Sequence, residues 1–105
     1  MPDTFKPTAK MAANAKKGLK LRDDFGRGGT DVGVRRAEQL ATQDDVTAED
    51  VKSMHSYFAR HEVDKDGKTH EWRSDTDPSA GYIAWLLWGG DEAKEWADQH
   101  VEKLD

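Results

Sequence analysis

Met11, Ala15 and Leu19 recur at every fourth position, and Leu21 and Phe25 repeat that step on a neighbouring stripe with lysines between. Apolar residues so spaced fall on one side of a 3.6-residue turn, which predicts an amphipathic helix over residues 8–25 with a basic back. Gly18 interrupts it at a cost of about 1 kcal/mol relative to alanine, so close packing is expected there. Gly26-Arg27-Gly28-Gly29 ends this helix. Thr30 or Asp31 then caps a second, whose inward face is Val34, Ala37, Leu40 and Ala41. After a polar break at 42–45, Thr47 and Asp50 have capping-box spacing, and Val46 and Val51 occupy the hydrophobic-staple positions. Val51, Met54, Phe58 and His61 follow one face of the third helix that starts there.

Residues 64–77 keep no period and read as a loop. Asp77-Pro78 has the form of a cap followed by proline at the first helical position. The segment from Pro78 to Trp88 is apolar on nearly every side, which predicts a buried, Trp-rich central helix. Gly89-Gly90 ends it and Asp91 is expected to cap a fifth. There Ala93, Trp96, Ala97, His100, Val101 and Leu104 form one apolar stripe. Residues 1–7, with two of the three prolines, read as a flexible, extended N-terminal arm. The expected fold is all-α: a compact single-domain bundle of about five short helices over 8–105, with almost no strand.

Composition narrows this further. The chain has 105 residues, 35% hydrophobic and 35% charged, so one domain is expected and its core is thin. Four Trp, three Phe and two Tyr must supply much of that core. With no cysteine, a disulfide scaffold, a thiolate zinc site, an iron–sulfur centre and a Cys nucleophile are excluded. The longest mostly apolar run, 81–90, is about half of what a membrane span needs. No apolar signal-peptide core follows the N-terminus. A soluble intracellular domain, without membrane contact, is the expectation.

The net charge of -5 conceals an asymmetry. Residues 1–36 carry nine basic side chains against four acids, and residues 37–105 carry seven against seventeen. Such a split suits either a basic face for phosphate beside an acidic body, or two surfaces that attract each other within the fold. The turn Gly26-Arg27-Gly28-Gly29-Thr30 sharpens the first reading. A glycine turn running into a helix cap offers backbone N–H groups at a positive helix end, and Arg27, Arg35 and Arg36 flank it. It lacks the Gly-x4-Gly-Lys-Ser/Thr pattern of a P-loop. The candidate anion or nucleic-acid surface is therefore Arg22, Arg27, Gly28, Gly29, Thr30, Arg35, Arg36 and Arg60. The plain alternative is a tight turn between helices.

Other constellations are weaker. Glu62-Val-Asp64-Lys-Asp66-Gly67 starts like an EF-hand loop, but its twelfth position is Arg73, where calcium needs a carboxylate. His55, His61, His70 and His100 match no zinc-ligand spacing. His61 continues an apolar face and reads as a core-edge residue. The serines lack a Gly-x-Ser-x-Gly setting. A small metal- or acid/base-dependent enzyme around His61, Glu62, Asp64 and His70 stands as the alternative to a binding module. Trp85, Trp88 and Trp96 read as core. Trp72 and Arg73, in a polar loop, read as protein-contact residues.

Three blocks carry a resemblance. Arg27-Gly-Gly-Thr-Asp-Val-Gly33, then Ser56-Tyr-Phe-Ala-Arg-His-Glu-Val-Asp-Lys65, then Pro78-Ser-Ala-Gly-Tyr-Ile-Ala-Trp-Leu-Leu-Trp-Gly-Gly-Asp91 with Trp96-Ala97, together resemble a small family of tailed-bacteriophage and prophage proteins. The resemblance covers residues 15–97 and implies a viral origin and a shared helical module, with some members related to the virion or head maturation. It implies no catalytic residue and no cofactor. The expected function is a phage-type, non-enzymatic binding module. It would act on nucleic acid or on a phage or host protein, in the host cytoplasm or associated with the virion. An acidic DNA mimic directed at a host protein is a further alternative.

Overall fold

The structure is a computed structural model that describes residues 4–61 and 80–104, without the side chain of Leu104. Among the described residues five helices are seen: α1 (Ala9–Phe25), α2 (Asp31–Ala41), α3 (Ala48–His61), α4 (Ala80–Leu87) and α5 (Gly90–Leu104). Their starts follow local chemistry. Thr8 caps α1, its hydroxyl accepting from Met11 N–H at 3.2 Å. Thr30 caps α2, accepting from Gly33 N–H at 3.3 Å. At α3 the Asp50 N–H donates to the Thr47 hydroxyl (3.1 Å) and the Thr47 N–H to the Asp50 carboxylate (3.4 Å). That reciprocal pair satisfies two donors which would otherwise face water alone.

The apolar helix α4 lies at the centre and touches all four others. Trp85, Leu87 and, just past the helix, Trp88 join the main core with Met11, Leu40, Met54, Phe58 and Trp96. Tyr82, Ile83 and Leu86 meet Leu21 and Phe25 on the other side. The three core tryptophans are at most 8% exposed. Gly18 is what lets α1 reach α4: a β-carbon there would stand 2.8 Å from the Leu87 nitrogen. The result is an all-α single-domain bundle whose Cα radius of gyration, 13.2 Å, is that of a compact chain of this length.

Two expectations change. Residues 4–7, read as part of a flexible arm, lie against the bundle. Thr4–Phe5 (β1) pairs antiparallel with Val46–Thr47 (β2), Pro7 is fully buried, and the Gln43 amide donates to the Pro7 carbonyl at 2.9 Å. Phe5 stacks on His100, 4.6 Å between centroids, and meets the Trp96 ring edge-on. Asp91, expected as the cap of α5, lies inside that helix and accepts from the Trp85 indole N–H at 2.9 Å. A buried indole N–H needs an acceptor, and this demand outweighs a cap position. The expected start of α4 at Pro78 and the loop 64–77 lie outside the described residues.

Candidate nucleic-acid interface

The glycine turn is built from both sides. Gly26 ends α1 in the left-handed region (φ 63°), and its N–H donates to the Arg22 carbonyl at 2.8 Å. Gly28 and Gly29 also have positive φ, and both press on α4. Added β-carbons would stand 2.6 Å from the Ile83 β-carbon and 2.4 Å from the Leu87 Cδ1. Arg22 braces the turn by donating from Nε to the Gly28 carbonyl at 3.0 Å. Arg27 lies with its guanidinium carbon 5.7 Å from the Phe25 ring centroid. Arg22, Arg27 and the three glycines line one cleft of about 370 Å³.

Through Gly29 this cleft adjoins a larger groove of about 510 Å³ between α2, α3 and α4. Thr30, Val32, Tyr57, Arg60, His61, Ala84 and Trp88 line it with Gly29. Its wall is a stack of rings. Tyr57 lies flat on Trp88 and also stacks against His61 at 4.5 Å. Arg36 covers the Trp88 ring from 5.3 Å. Among the described residues, no carboxylate lines either the cleft or the groove.

The structure therefore divides the residues expected to act together. Arg22, Arg27, Gly28 and Gly29 share the cleft, and Thr30 and Arg60 share the groove beside it. Arg35 and Arg36 lie on the far side of Val32, in a depression that also holds Asp44, Asp45 and Asp50. Arg36 is committed there: its guanidinium sits 3.2 Å from the Asp50 carboxylate and donates to Gln39. Burial would raise the Asp50 pKa, but the Gln39 amide, the Arg36 charge and the Thr47 N–H together hold it below the usual carboxylate value. Arg36 thus belongs to internal charge pairing, whereas Arg35 is exposed. Trp72 and Arg73 lie outside the described residues.

His61 is the described member of the set His61, Glu62, Asp64 and His70, and its ring is stacked on Tyr57. Among the described residues no three His, Cys, Asp or Glu side chains gather to hold a metal ion. For a DNA mimic, the exposed stripe Glu92, Glu95, Gln99 and Glu102 of α5 has a neutral amide in the middle of its row. Two features escaped the sequence reading. Tyr57, three residues after Met54, has the spacing of a core residue. His55 Nδ1 lies 2.8 Å from the Asp98 carboxylate, which also takes Lys94 at 3.1 Å. No sequence signal joins positions 43 residues apart. Among the described residues no helix is long and apolar enough to cross a membrane.

Comparison with protein-family models, with curated proteins and with solved structures finds no match to this chain.

Proposed function

We propose that this chain is a phage-type, non-enzymatic binding module whose glycine-turn face takes an anionic partner, nucleic acid first among them. One observation carries the reading: Arg22, Arg27 and three glycines of positive φ line a cleft that, among the described residues, holds no carboxylate and runs into a groove walled by Arg60 and aromatic rings. A guanidinium is always charged and matches phosphate geometry. Glycines, having no side chain, let a ligand approach the backbone closely. The overall charge of -5 repels nucleic acid from afar, so contact works within about 8 Å, the screening length at physiological salt. The three sequence blocks support the phage attribution, and with it a phage or host protein as the partner if nucleic acid does not bind.

Fluorescence anisotropy with labelled DNA and RNA oligonucleotides at two salt concentrations tests this. Binding that weakens steeply with salt is expected, because neutralised phosphates release counterions. Arg27→Ala and Arg60→Ala should weaken it, and Arg35→Ala should leave it nearly unchanged. Absence of binding at low salt would set nucleic acid aside.

A further inference from the structure

We propose that the groove beside the glycine turn seats an unpaired base, so that the nucleic acid this chain takes is a single strand; this rests on the reading of the cleft as a phosphate site. The two depressions differ in chemistry and meet at Gly29. One offers guanidinium and backbone. The other offers apolar and aromatic walls, Val32, Tyr57, Ala84 and Trp88, with Arg60 on the same lining. A nucleotide has the same two halves, a charged phosphate and a flat, largely apolar base, joined at one sugar. At about 510 Å³ the groove falls within the range of pockets that hold small ligands and cofactors.

Val32 is the clearest sign of an occupant. It is 58% exposed, the large hydrophobic side chain that stands in solvent among the described residues, and it lies on the border between the groove and the depression that holds Arg35 and Asp44. Packing does not require it there: the inward face of α2 is Gly33, Ala37 and Leu40. The opposing wall is rigid, because Tyr57 stacks on the Trp88 and His61 rings and is buried, so a base that docks orders little that was free. In a duplex both faces of a base are stacked and its edge is paired, so a duplex presents nothing that fits. Charge selects the rest, since the groove carries Arg60 and no acid among the described residues.

The test uses the whole chain and three labelled probes of equal length, about eight nucleotides, within the footprint of single-strand sites: oligothymidine, the same strand with every base removed, and a duplex. Oligothymidine should bind at least about fivefold tighter than the abasic strand, the low end of what one seated base supplies, because the rings of the wall are already stacked. Val32→Asp, at a position too exposed to matter for folding, should erase that difference, with Val32→Ser as a second variant should the first misfold. Arg27→Ala should weaken both strands alike. Equal affinity for the abasic strand overturns the base seat and leaves the phosphate cleft standing. Tighter binding to the duplex overturns the single-strand assignment. Displacement of oligothymidine by oligoglutamate at matched charge overturns it in favour of an acidic peptide. Absence of binding to all three probes removes the phosphate reading beneath it.

Discussion

The rings of Tyr57 and Trp88 lie 4.3 Å apart and 6° from parallel. This contact ties the last turn of α3 to the end of α4, and it is at once core and groove wall. Any substitution there changes stability together with binding, which is why the exposed Val32 is the better probe of the groove.

The stack should be measurable on its own. Trp88→Leu and Tyr57→Leu, with the double variant, form a cycle that separates ring stacking from burial. Aromatic pairs of this kind contribute about 0.5–1.5 kcal/mol beyond area, and truncation to alanine at either position should cost about 3–5 kcal/mol. Urea unfolding reads both. A coupling of zero would reduce the contact to burial alone.

Arg35 and Arg36 are adjacent in sequence and should behave oppositely. Arg36→Ala leaves Asp50 without its charge partner and uncovers the Trp88 ring, and should cost about 1–3 kcal/mol. Arg35→Ala should stay within about 0.5 kcal/mol of the parent. Asp50 has a folded pKa below its unfolded one, so its contribution is present above the unfolded value of about 3.9 and is lost as pH falls through the folded value. Asp50→Asn should therefore flatten the acid limb of stability against pH below about 4. An unchanged limb would mean that the pair contributes nothing.

His100 sets a second pH effect. Burial, helped by Lys103, lowers its pKa, its Nδ1 has no hydrogen-bond partner, and Phe5 and Trp96 pack on its ring. The unfolded chain takes up this proton first. The contribution is thus whole above about 6.5 and is lost as pH falls through the folded value. His100→Phe keeps a ring against Phe5 and removes the titration. The melting temperature of the parent should fall relative to this variant between pH 7.5 and pH 5. Parallel curves would exclude His100 from the effect.

Gly18→Ala and Ala13→Gly, opposite changes in one helix, should both destabilise. Ala13 is exposed, and glycine there costs about 1 kcal/mol in helix propensity. At position 18 propensity favours alanine by the same amount. The added methyl would press on the Leu87 backbone at 2.8 Å, however, and such overpacking costs about 1–3 kcal/mol. Thermal melts of the two variants decide it, and a stabilised Gly18→Ala would show that α1 and α4 can separate without loss.

What the sequence determined by itself is what depends on neighbours three or four residues apart. The helices, the cap at Thr47, a cap at Thr30 or Asp31 and the burial of the apolar fourth segment were all legible, because a hydroxyl finds an N–H three positions on and an apolar stripe needs only its own period. Only the tertiary structure decided the rest. It paired Phe5 with His100 across most of the chain, and His55 with Asp98 across 43 residues. It drew Asp91 away from capping toward the Trp85 indole. It also separated Arg36 from Arg27 by giving Arg36 a carboxylate partner on α3. A charge in the sequence has a sign but no partner until packing supplies one, so the basic segment could be counted from the residues while the placing of Arg36 beside Asp50 and of Arg27 in the cleft required the fold.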